Sequence, residues 1–265
     1  MSAERTPLAP EQPAAGIELV QVHKTYGQGS SAVHALRGVN LRVPEGSLVA
    51  LSGRSGAGKS TLLSLVAGLR RADKGQIMVH GLDLTAADEQ DLLRFRRDTV
   101  GVVYQEFALF PLLTAQENVG VPMRVRRATS RVRDQRVAEL LDRVGLSGHA
   151  QQRPEEMSGG QQQRVAIARA LANEPRILLA DEPTGQLDSE TGFTIIDLLR
   201  SVVVEQGVTA LVATHDPAIE EMADAVWHLE DGVVAETASG ERADTEPGSR
   251  AARGHHGRGA NLPSA

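Results

Sequence analysis

The 265-residue chain has no cysteine, one tryptophan, two tyrosines and four phenylalanines. Without thiols, disulfides and thiolate metal sites are excluded. No apolar run reaches the roughly 18 residues that a bilayer-spanning helix needs. The opening segment, Met1 to Pro7, has no apolar signal stretch, so the chain is expected to stay in the cytoplasm. A net charge of −6 argues against broad nucleic-acid binding, because phosphate backbones repel an acidic surface. What is present is 41% hydrophobic residues, enough for one large domain or a core with a small subdomain.

The run Gly53-Arg54-Ser55-Gly56-Ala57-Gly58-Lys59-Ser60 fits the phosphate-binding pattern GxxxxGK[ST]. It follows an apolar strand, Leu48-Val49-Ala50-Leu51, and opens a helix that continues through Thr61 and Leu62. Glycines at 53, 56 and 58 let successive backbone N–H groups face one anion. Lys59 supplies a point charge for β/γ-phosphates and the Ser60 hydroxyl a Mg²⁺ ligand, with the helix N-terminus adding to the attraction.

A second apolar strand, Ile177-Leu178-Leu179-Ala180, ends in Asp181 and Glu182. An acid at such a strand end holds Mg²⁺, and a following Glu polarises the attacking water. Asp181 is therefore the candidate metal acid and Glu182 the candidate general base. Upstream, Ser158-Gly159-Gly160-Gln161 opens the helical run from Val165 to Leu171. Ser158 is a good N-cap, and the two glycines leave N–H groups uncovered for a second phosphate.

With these motifs in order, the chain from about Ile17 to Glu236 resembles the ATP-binding-cassette (ABC) ATPases. Tyr26, the phosphate loop, Gln105, Met157-Ser158-Gly159-Gly160-Gln161, the Asp181-Glu182 strand, Asp188 and His215 carry the resemblance. It implies an α/β fold: a P-loop NTPase core with an antiparallel β subdomain and an α-helical subdomain. The implied layout is a loose arm over 1–15, the ATPase domain over 16–236 with the helical subdomain at about 89–157, and a disordered tail over 237–265. Strand alternation over Ile17 to Val22, Val39 to Val43 and Gln76 to His80 agrees with the antiparallel part. Val137, Leu140, Leu141 and Val144 recur at helical spacing. In the tail, His255-His256 reads as solvated, as does the Arg-rich stretch from Arg124 to Arg136.

The resemblance also assigns roles, with ATP and Mg²⁺ as ligands. Tyr26 stacks on adenine. Gly53, Arg54, Ser55, Gly56, Ala57, Gly58, Lys59, Ser60 and Thr61 hold the phosphates. Ser60, Asp181 and Gln105 form the metal shell, and Glu182, His215 and Gln105 serve catalysis. Ser158, Gly159, Gly160 and Gln161 close over the ATP of a second subunit, and Asp188 links the two sites. A single chain then carries two half-sites, and the closed dimer buries two ATP molecules.

The implied partners are a second ATPase subunit and a separate transmembrane permease, which would hold the chain on the inner face of the membrane. Phe107-Ala108-Leu109-Phe110-Pro111-Leu112-Leu113, directly after Gln105, is expected to line the groove that receives the permease. Val33 to Val39, Phe110 to Val119 and Asp181 to Asp188 resemble the lipoprotein-releasing and macrolide-exporter branch. Met157 and Gln186 depart from its usual Leu and Asn. That branch implies export or extraction of a lipid, peptide or drug. The alternative is a signalling complex in which ATP-driven closure gates an external enzyme and transports nothing. A DNA-repair relative would need a long insertion or a zinc site between Gln105 and Ser158, and a translation-factor relative two cassettes; neither is present.

Overall fold

The computed structural model of the protein describes residues 14–237. Strands β1 (Ala15–Tyr26), β2 (Val33–Pro44), β4 (Lys74–Val79) and β5 (Leu82–Asp83) form an antiparallel sheet in the order β2-β1-β4-β5. Strands β3 (Leu48–Ser52), β6 (Val100–Val103), β7 (Ile177–Asp181), β8 (Thr209–Thr214), β9 (Ala225–Glu230) and β10 (Val233–Thr237) form a second, ordered β10-β9-β3-β8-β7-β6. All its pairings are parallel except β9 with β10.

The central strands explain the fold. β3, β7 and β8 are nearly continuous apolar runs, the pattern of a parallel sheet covered on both faces. Leu48, Ala50, Leu178, Ala180, Ala210 and Val212 point into one core. Their neighbours Val49, Leu51, Ile177, Leu179, Leu211 and Ala213 point into the other. The second core is closed by helix α1 (Lys59–Val66) and by the inward residues of the antiparallel sheet, among them Ile17, Leu19, Leu41, Ile77 and Val79. One of the register shifts along β1 falls after Leu19, with Gln21 at φ 49°; it turns Val22 inward and leaves Gln21 outside.

The stretch 89–157 divides between the two cores. Helix α2 (Glu89–Asp98) buries Leu92 and Phe95 against the α1 side, and β6 belongs to the parallel sheet. Helices α3 (Ala115–Val125), α4 (Ser130–Arg143), α5 (Gly159–Ala170) and α6 (Ser189–Gln206) pack on the opposite face, where Val137, Leu140, Leu141 and Val144 are all buried. Short α7 (Pro217–Met222) completes that side. The arm expected over 1–15 ends inside β1 at Ala15. Residues 1–13 and the tail, including His255 and His256, lie outside the described residues. Among the described residues no helix is long and apolar enough to cross a membrane.

Loop 104–114 is shaped by one buried amide. Asn118 on α3 has 0% exposure. Its Oδ1 accepts from the Phe110 N–H at 2.8 Å, and its Nδ2 donates to the carbonyls of Leu113 and Thr114 at 3.0 and 3.1 Å. The backbone at Phe110 and Leu113 thus gets partners that no strand or helix gives it. Asn118→Ala should lower stability by about 2 kcal/mol, read as a lower denaturant midpoint at unchanged slope. A loss under about 0.5 kcal/mol would mean that water replaces the amide fully.

Candidate functional site

Because the faces of the parallel sheet are buried, its polar residues gather where the strands end. In open α/β sheets, ligands bind at the carboxyl ends of the strands. Here β3 ends at Ser52 before the phosphate loop, β7 at Asp181, β8 at Thr214 before His215, β9 before Asp231, and β6 just before Tyr104 and Gln105. These ends open into one cleft of ≈ 1060 Å³. It is lined by Tyr26, residues 54–61, Gln105, Asp181, Glu182 and His215.

The loop between β3 and α1 requires its glycines. Gly58 has φ 110°, and a Cβ there would lie 2.5 Å from the Ala35 carbonyl oxygen. A Cβ on Gly53 would collide with the Leu229 carbonyl. Gly53 does not itself line the cleft; its carbonyl accepts from Lys59 Nζ at 2.6 Å. Lys59, the first residue of α1, is buried and aims its ammonium back across the loop.

The ammonium also meets an acid, with Lys59 Nζ 3.1 Å from Glu182 Oε1. The other carboxylate oxygen of Glu182 lies 2.8 Å from His215 Nδ1. Glu182 is thus a buried carboxylate held between a lysine and an exposed imidazole. Its backbone is left-handed, at φ 47°, an uncommon conformation for a side chain of this size. Its N–H donates to the Ala213 carbonyl on β8 at 2.9 Å, which fixes the turn. Asp181 accepts a hydrogen bond from the Ser60 hydroxyl. Burial pushes its pKa above the ordinary carboxylate value; the neighbouring Glu182 adds to this, while the Ser60 bond and Lys59 oppose it.

The wall of the cleft contains residues the motifs did not flag. His34, Ala35 and Arg37 of β2, with Asp231 and Gly232 of the β9–β10 turn, line it beside Tyr26. The Arg37 N–H donates to the Gly232 carbonyl at 2.7 Å, and its Nε to the Asp231 carbonyl at 2.6 Å. These partners are almost 200 residues apart, so no local pattern could announce them. Lys24 and Arg70 sit over the Tyr26 ring, 5.7 and 5.4 Å from its centroid.

The remaining candidates do not line this cleft. Ser158 caps α5, accepting from the Gln161 N–H at 3.3 Å, while the Gln161 side chain accepts from the Ser158 N–H at 2.8 Å. Gly160 faces Thr191 of α6 so closely that a Cβ would collide with its methyl group. Asp188 caps α6, and the Thr191 N–H and hydroxyl hold its carboxyl below the usual range. Within one chain, the α5 N-terminus and the phosphate loop are separate sites.

The two phenylalanines after Gln105 also part. Phe110 is half exposed and lines a groove with Leu93, Val100, Tyr104, Val121 and Val125. Phe107, at φ 57°, instead places its ring beside Gly159. The intervening turn is held by Arg169, whose guanidinium donates to the carbonyls of Phe107 and Ala108 at 2.9 and 2.5 Å.

Comparison with known proteins agrees with this geometry. Residues 36–185 match the family model described as ABC transporter. An uncharacterized ABC transporter ATP-binding protein of Methanocaldococcus jannaschii, MJ0796, is 44% identical over 222 residues, covering 82% of this chain and 94% of its own. The lipoprotein-releasing system ATP-binding protein LolD of a Ruegeria species is 45% identical over 221 residues, 83% of this chain and 97% of that protein. The methionine import ATP-binding protein MetN of Corynebacterium jeikeium is 42% identical over 227 residues, 84% of this chain and 61% of that protein. A dimeric, post-hydrolysis structure of MJ0796 bound to ADP and Pi superimposes with a TM-score of 0.78 at 42% identity, covering 83% of this chain and 97% of that one. With its phosphate loop, strand-end acids and ABC-type architecture in one chain, the protein belongs to the ABC transporter family and is one of its ATP-hydrolysing, ATP-binding members.

Proposed function

We propose that the cleft binds Mg²⁺·ATP and that Glu182 is the base that activates water for in-line attack on the γ-phosphorus. The carrying observation is the Glu182 carboxylate, bracketed by Lys59 at 3.1 Å and His215 at 2.8 Å at the mouth of the phosphate loop. An incoming γ-phosphate competes for the Lys59 ammonium and releases the carboxylate toward water. Glu182 takes the proton of the attacking water, the bond from γ-phosphorus to the bridging oxygen breaks, and the charge collects on the departing ADP. His215 holds the γ-phosphate and the water in line, and Tyr26 offers a π-face to adenine.

The donor set suits Mg²⁺. Ser60 and Asp181 already share a hydrogen bond, and with Gln105 they are hard oxygen donors. Among the described residues no three His, Cys, Asp or Glu converge in a metal cage, which fits an ion held largely by substrate phosphates and water. When bound, the ion would be held by Ser60, Asp181 and Gln105 and would offset the negative charge of the phosphates. The Ser158–Gly160 N-terminus of a second chain completes the phosphate shell, with Asp188 beside that junction. This assembly drives a separate membrane permease from the inner face of the membrane, docked over the Phe110 groove. The 45% identity to a lipoprotein-releasing protein supports export or extraction of a lipid, peptide or drug. A methionine-import relative at 42% supports the reading that the choice of cargo lies in the permease rather than the ATPase.

Three outcomes test this reading. Glu182→Gln should lower kcat by about 10²–10⁴-fold while leaving the ATP Kd within a few-fold; hydrolysis at the parent rate would remove Glu182 as base. For Asp181 the raised pKa means that the ionised carboxylate destabilises the folded chain, a penalty that grows as pH rises through the folded value. Asp181→Asn should therefore make the nucleotide-free chain at least as stable as the parent at pH 8, while abolishing the Tm increase given by Mg²⁺·ATP. Retention of that increase would place the metal elsewhere. Phe110→Ala should cut permease-stimulated ATPase several-fold at unchanged basal rate; equal stimulation would move the docking site off this groove.

A further inference from the structure

Gln163 lies in the second turn of α5 and has 0% exposure. Its Nε2 donates to the Pro183 carbonyl at 2.8 Å, and its Oε1 is buried with no partner among the described residues. A core amide satisfied on one side only is a poor substitute for leucine if packing is all that is required. Its one bond falls on the residue after Glu182. Pro183 is itself a buried residue, and its carbonyl has no other donor among the described residues.

That segment needs holding. Glu182 sits at φ 47° immediately before a proline, and the ring of the following residue restricts its backbone further. The turn is fastened from β8 through the Glu182 N–H to Ala213, and from the start of α7 through the Thr184 hydroxyl to Asp216 Oδ2 at 2.9 Å. Gln163 is its fastening from α5. A carboxylate that must meet a lysine, a histidine and a water is sensitive to shifts of this turn, since displacements near 1 Å can cost on the order of 100-fold in rate.

We propose that Gln163 is a positioning residue for Glu182 and ties the N-terminal end of α5 to the hydrolytic carboxylate of the same chain. This rests on the reading of Glu182 as base. Its consequence extends across the dimer. In the dimer of the proposed function, the Ser158–Gly160 end of α5 would face the nucleotide held by the second chain, whereas Glu182 would face the nucleotide held by its own. Engagement at one ATP therefore steadies the base at the other through a single side-chain bond.

The test is steady-state ATPase of the full chain and its Gln163→Leu and Gln163→Glu variants from pH 6 to 9, each rate normalised to folded protein and to the parent at the same pH. Gln163→Leu should lose about 10–100-fold in kcat with KM within about twofold, and the loss should not vary with pH. In Gln163→Glu burial raises the carboxyl pKa. Below that value the protonated acid donates to Pro183 and kcat approaches the parent; above it the carboxylate faces a carbonyl and kcat falls toward the Leu variant. A Leu variant within twofold of the parent overturns the proposal. So does loss of folded protein in both variants, or a Glu variant that is as impaired at pH 6 as at pH 9, since each reduces Gln163 to a packing role. Glu182→Gln in parallel separates the two claims: if it hydrolyses at the parent rate the base assignment fails, whereas an inactive Glu182→Gln beside a fully active Gln163→Leu sinks only the positioning role.

Discussion

Burial of both faces of the parallel strands is the constraint from which the rest follows. β3, β7 and β8 are apolar on either side because a core lies above and below them. Polar chemistry is therefore confined to the strand ends, and parallel pairing puts those ends on one edge. Ser52, Asp181 and Thr214 mark that edge, and each loop leaving it carries a group of the cleft. The helix that follows β3 begins with its N–H groups turned toward the same edge, which makes the edge attractive to anions.

The charges there are arranged so that they depend on one another. Lys59 is buried and reaches both the Gly53 carbonyl and Glu182; Glu182 is shared with His215; Asp181 is shared with Ser60. Two adjacent acids at a strand end repel, and Asp181 carries that repulsion together with its own desolvation. On the proposed reading, a phosphate would pair with Lys59 and a divalent cation with Asp181, which would relieve both strains at once. The α5 N-terminus presents a second, capped set of N–H groups that this cleft does not use, and the proposed function assigns it to the nucleotide of another copy of the chain.

Local features were legible in the sequence wherever one short segment carries its own reason. The phosphate loop declares itself through glycines that a Cβ would disrupt, and the helical face of α4 through Val137, Leu140 and Leu141. The antiparallel strands were readable from alternating apolar residues, whereas the ATPase core followed from the family resemblance. Long-range placement was not. Leu92 and Phe95 look like any helix face, yet their partners lie in α1 and the antiparallel sheet, so α2 joins a different core from α3. Arg37 and Gly232 meet only because β2 passes the β9–β10 turn. Phe107 and Phe110 read as one apolar patch until a left-handed turn held by Arg169 sends them apart. Gln163, one of three consecutive glutamines, differs from its neighbours only in burial, which sequence does not display.

The most direct test is a structure of the Glu182→Gln chain with Mg²⁺ and ATP. The account expects two chains related by a two-fold axis, each γ-phosphate lying between Lys59 of one and the Ser158–Gly160 backbone of the other, with Ser60 on the metal. ATP bound in the cleft of a chain whose α5 N-terminus faces no nucleotide would contradict it.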